Sequence, residues 1–80
     1  MPKFIDHHSK LPPAEAMSAM KASLGKPLPG GITPVGGYVT ADGHGFCVID
    51  APSKAAVCAV HASMGVSLDE RDVHEISASL

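Results

Sequence analysis

The sequence predicts an α+β fold, a ferredoxin-type layering of one antiparallel sheet with two helices on one face. Three observations carry this. Four short stretches have the apolar, β-branched or aromatic character of strands. Two stretches have helical spacing and end at a glycine. Their order in one short chain is β-α-β-β-α-β.

Met1 to His8 holds Phe4 beside Ile5 and reads as the first strand. From Pro12 or Pro13 to Leu24, PPAEAMSAMKASL is rich in helix formers, with Met17, Met20 and Leu24 at helical spacing. Proline suits a first helical turn, and Gly25 followed by KPLPGG ends the run. Val35, Tyr38, Val39 and Thr40 form a second strand, weakened by Gly36-Gly37. Asp42-Gly43 signals a hairpin into HGFCVIDA, the third strand.

Ser53 is placed to cap a helix from Lys54 to Met64, although Ala56 stands where a capping box would carry an acid. Gly65 stops that helix, and Arg71 to Ala78 reads as a modest fourth strand. The order is that of the split βαβ, ferredoxin-like βαββαβ sandwich, here a single domain over residues 1–80. Right-handed crossovers are expected to set the first and third strands side by side and parallel, with the second and fourth at the edges.

The first and third strands are apolar on both faces: Phe4 adjoins Ile5, and Phe46-Cys47-Val48-Ile49 runs without a break. A strand with one wet face alternates instead. Helices on one side leave the other side of the sheet to be covered, and a second copy of the chain is the simplest cover. A homodimer in a dimeric α/β-barrel-like assembly is expected. Size points the same way, since a chain this short buries only about 60–65 % of its unfolded surface.

Apolar residues make up 45 % of the chain and charged residues 18 %, which excludes general disorder. Six Lys/Arg against eight Asp/Glu leave no basic footprint for nucleic acid or an anionic membrane. One Tyr, two Phe and no Trp offer little for base stacking. The start MPKFIDHHSK does not read as a secretory signal, and no stretch reaches the length of a membrane span. Cys47 and Cys58 without a leader are expected to be reduced thiols in a cytoplasmic protein, with a bridge between them as the less favoured alternative.

Chemistry has to come from five histidines, two cysteines and the acids near them. Val57, Val60, His61 and Met64 repeat at i, i+3, i+4 and i+7, so His61 lies on or beside the packed face of its helix. It is open to two readings, a packed imidazole bonded to a carbonyl, or a metal ligand or acid/base group. Asp6 and His8 share one strand face and suit ligation or the orienting of an imidazole, or else mark a solvated strand end. His7 points to the opposite face from His8.

Cys47, in a central strand, is either a small hydrophobe or a ligand. Cys58 falls off the apolar stripe and is expected to be filler. His44 beside the hairpin is expected to be exposed, and the face of His74 is open. No C-x-x-C, H-E-x-x-H, phosphate loop or nucleophile elbow occurs, so any site is assembled from distant elements.

MPKFIDHH, GFCVIDAPSKAAVCAVHASMG and the late VHEI together resemble the small bacterial nickel-binding proteins, a family formerly described only as a domain of unknown function. Members open on a strand matched here by Pro2 to Asp6 and His8. They carry before the second helix a segment matched by Phe46, Cys47, Val48, Asp50, Ala51 and Pro52. Their second helix has a histidine four residues before a glycine, as His61 and Gly65. The resemblance implies a ferredoxin-like dimer that binds nickel or another divalent ion for sequestration, with His8, Cys47 and His61 carried over as ligands. It implies no enzyme activity. Members often have a histidine in the first helix, where this chain has Met20 and Lys21, and another after the helix-ending glycine, where it has Val66.

Three functional readings follow. The first is a dimeric protein binding a divalent transition metal, nickel favoured, through His8 and His61 with Cys47 and Asp6 in support. The second is a small-molecule-binding or enzymatic dimeric α/β-barrel protein, with Cys47 and His61 lining a pocket as nucleophile and base. The third is a structural dimer with no metal site.

Overall fold

A computed structural model describes residues 1–80. The strands are β1 (Lys3–His8), β2 (Thr33–Val39), β3 (Gly45–Asp50) and β4 (Val73–Glu75), and the helices are α1 (Ala14–Ser23) and α2 (Lys54–Ser63). They form one four-stranded sheet in the order β2-β3-β1-β4, the ferredoxin-like arrangement. Every neighbouring pair is antiparallel, which corrects the expected parallel pairing of β1 and β3. The reason is geometric. The crossover through α1 makes β1 parallel to β2 and leaves a gap one strand wide. The hairpin then reverses the chain, so β3 fills the gap antiparallel to both neighbours.

The hairpin closes at Gly43, whose φ of 85° is a left-handed conformation that suits glycine. Thr40 N donates to the His44 carbonyl at 2.9 Å, and His44 N donates to Thr40 Oγ1 at 3.1 Å. Ser53 caps α2 as its position predicts, its hydroxyl accepting from Ala56 N at 3.1 Å. Gly65, with φ 77°, ends that chain segment in the left-handed region.

The fourth strand is shorter than Arg71 to Ala78. Asp69 accepts from Arg71 N at 2.9 Å and draws Glu70–Asp72 into a 3₁₀ turn. Past Glu75 one more ladder bond forms, from Ile76 N to the Lys3 carbonyl at 2.8 Å.

Alternation along β1 sets the layers. Phe4, Asp6 and His8 are buried beneath the helices, while Lys3, Ile5 and His7 are half-buried on the other face. Phe4, Met20, Ile32, Ile49, Ala51, Val57 and Val73 form the apolar core between helices and sheet. On the opposite face no helix packs. There Ile5 pairs with Val48 and with His74, and Phe46 lies between His7 and Tyr38. Tyr38 is 63 % exposed.

His44 is half-buried rather than exposed, because its ring meets His7 on this open face. His7 Nε2 lies 2.7 Å from His44 Nδ1, and the His7 and Phe46 rings are 5.0 Å apart. His74, whose face the sequence left open, belongs to the same side.

Ile49 has no exposed surface and stands opposite both Phe4 and Pro34. Ile49→Val is expected to cost about 0.5–1.5 kcal/mol and Ile49→Ala about 2–5 kcal/mol in urea unfolding, the difference reflecting a cavity the sheet cannot close.

Candidate metal centre

Three elements bring four side chains to one point. Asp6 and His8 share the helix-facing side of β1 because they are two residues apart. Cys47 faces the same way because the β1–β3 register sets it directly opposite Asp6. His61 descends from α2 on the stripe that carries Val57, and both are buried. The four ligand atoms lie within 4.8 Å of one another.

Asp6 Oδ1 is 2.6 Å from His8 Nε2, and Asp6 Oδ2 is 3.5 Å from His61 Nε2. His8 Nε2 is 3.9 Å from Cys47 Sγ, and the two imidazole rings are 5.1 Å apart. Donors bound to one tetrahedral ion at about 2.0–2.3 Å would stand roughly 3.3–3.8 Å apart. The observed spread brackets that range, so the residues present fit a metal ion.

The pattern of hydrogen bonds shows what the cluster lacks. His61 Nδ1 lies 2.8 Å from the Val57 carbonyl, an acceptor only, so this nitrogen carries the proton. In the neutral ring Nε2 is then a bare lone pair, and it faces a carboxylate oxygen. His8 Nε2, 2.6 Å from Asp6 Oδ1, offsets the carboxylate charge only when its ring carries both protons. Both oxygens of Asp6 and Nε2 of His61 are buried and have no hydrogen-bond partner. Asp6 is 1 % exposed, where an unneutralised carboxylate is costly. Four ligand atoms gathered at one buried point are an arrangement that a cation completes.

Burial pushes the Cys47 thiol up to about 12, and the neighbouring Asp6 carboxylate adds to the rise. In the metal-free protein the thiol is therefore protonated at neutral pH. A nucleophilic role with His61 as base gains no support from this setting. Both Cys47 and Cys58 are free thiols, and Cys58 packs against the core at its margin as filler.

Beside the cluster, between α1 and the sheet, lies a cavity of about 330 Å³. His8, Cys47 and His61 border it; Asp6 does not. Its remaining walls are mainly apolar, including Ala16, Met17, Met20 and Met64, with Gly37 and Gly45 beneath. Met20, Lys21 and Val66 are among its lining residues.

All four candidate ligands named from the sequence thus meet in space, and His7, His44 and His74 lie on the far side of the sheet. A carbonyl bond for His61 and a pocket lined by Cys47 and His61 were among the readings open from the sequence. It did not show that Val57 supplies that carbonyl, or that Gly37 and Gly45 share the cavity floor, because the latter depends on strand register.

Asp6→Asn separates a metal centre from an ordinary buried network. Replacing the carboxylate by a neutral amide is expected to stabilise the metal-free fold by about 1–3 kcal/mol in urea titration while weakening metal binding. A structural network would lose stability on the same change.

No family model matches the chain, and no curated protein and no solved structure matches it either.

Proposed function

We propose that this protein binds a divalent transition metal ion through Asp6, His8, Cys47 and His61, for sequestration or handling of the ion, as a homodimer. The observation that carries the reading is the buried carboxylate of Asp6 facing the unprotonated Nε2 of His61, with His8 Nε2 and Cys47 Sγ converging on the same point. One oxygen, two imidazole nitrogens and one sulfur make a set of intermediate softness, suited to nickel, zinc, copper or cobalt. Calcium and magnesium prefer oxygen ligands throughout. Nickel is the favoured ion on the strength of the sequence resemblance.

Binding requires neutral imidazoles and a thiolate, so protons compete with the metal. The sign follows from the Cys47 thiol, pushed up to about 12. Below that value the ion displaces one thiol proton, so affinity is expected to rise about tenfold per pH unit through neutrality. Calorimetric titration of the metal-free protein with nickel, zinc and copper tests this. Saturable heat in the wild type, lost in the double variant His8→Ala with His61→Ala, is the expected result. Absence of saturable heat, or equal heat in the variant, removes the proposal.

The homodimer is supported by the uncovered face, where Ile5, Phe46, Val48 and Tyr38 gather on one side of the sheet. Sedimentation equilibrium at micromolar protein is expected to give twice the chain mass. Val48→Lys, which sets a charge in the middle of that face, is expected to give the mass of one chain.

A further inference from the structure

We propose that the cavity beside the four donors receives a neutral, apolar small molecule that presents one nitrogen or sulfur donor atom to the bound metal. This deepens the metal-binding reading and rests on it.

The placement of the donors supplies direction. His8, Cys47 and His61 border the cavity and Asp6 does not, so the carboxylate closes the site from the opposite side. A further donor to the same ion has one approach, through the cavity.

Charge supplies the ligand class. The Asp6 carboxylate and a metal-bound Cys47 thiolate offset the two positive charges of a divalent ion. The walls beyond are apolar, and Lys21, exposed, is the one charged side chain among the other lining residues. An additional buried charge there would be unpaired and costly. A neutral donor on an apolar body meets both conditions.

Shape supplies the size. A cavity of about 330 Å³ is at the small end for ligand pockets. The space exists because Gly37 and Gly45 bring no side chains to its floor. A Cβ built at Gly37 would come no nearer to another part of the chain than 4.0 Å, to the Phe46 carbonyl. Met17, Met20 and Met64 are flexible thioethers that adapt to the outline of a guest. Leu24 and Val39, 38 % and 59 % exposed, also border the cavity and make its surroundings apolar out to solvent.

Cobalt(II) makes the test optical. Cobalt is titrated alone first, and its visible and near-ultraviolet bands report metal binding and thiolate ligation. The loaded protein is then titrated with imidazole and with 4-phenylimidazole, which offers the same kind of donor on an apolar ring. The bands are expected to shift with 4-phenylimidazole at a concentration at least about tenfold lower than with imidazole, because the phenyl ring is buried.

Gly37→Val fills the floor with a residue that favours strands. It is expected to keep the cobalt bands and to erase the preference. Ala16→Leu narrows the cavity from the helix side and serves the same purpose if the valine variant does not fold. Cobalt bands that ignore both probes, respond to both equally, or keep the preference in these variants overturn the cavity inference while the metal reading stands. Absence of cobalt bands in the wild type overturns both.

Discussion

A carboxylate that is 1 % exposed, held between two imidazoles and a thiol, is the constraint on which the rest of this small protein turns. Buried charge is costly, and a chain of 80 residues has little stability to spare for it. The carboxylate is nevertheless central, on a strand flanked on both sides. His61 sharpens the constraint. Its Nδ1 is bound to the Val57 carbonyl at 2.8 Å, so the other nitrogen is aimed, unprotonated, at Asp6. The helix thereby fixes a tautomer, and the tautomer leaves an acceptor facing an acceptor. Cation binding turns this arrangement from a liability into a site.

The fold makes such a site affordable by dividing labour between its two halves. Core packing around Ile49, Val57 and Val73 backs the donors directly, since Val73 stands opposite Asp6, Cys47 packs against this core and the Val57 carbonyl holds His61. Nearer the hairpin, glycines replace side chains on the helix-facing floor, and the layers stand apart around a cavity. Packing thus supplies stability at one end of the sandwich and space at the other. The donors lie between the two, rigid on the core side and accessible on the cavity side.

The two faces of the sheet are chemically separate although both carry histidine. His8 and His61 belong to the buried layer, while His7 and His44 contact each other at 2.7 Å beside Phe46 on the uncovered layer. Strand alternation enforces this separation, since adjacent residues in β1 cannot serve one site within a subunit. A wealth of histidine in the sequence is therefore not one cluster but two groups, and only the buried group includes a carboxylate and a thiol.

Element types, the positions of helix ends and the pairing of Asp6 with His8 on one strand face were legible from residue order, because alternation and helical spacing are local properties. The Val57–His61 stripe was legible for the same reason, and so was the cap at Ser53. Local pattern does not carry the relation between distant segments. It did not reveal that β3 runs antiparallel to β1, that β4 would span only Val73–Glu75, or that His44 would lean on His7. By itself the sequence determined which atoms were available as donors and which face each would take within its own element. Only the tertiary structure decided that Cys47 stands opposite Asp6 and that α2 lowers His61 onto the same point, because register and the seating of a helix on a sheet are set by the whole packed core.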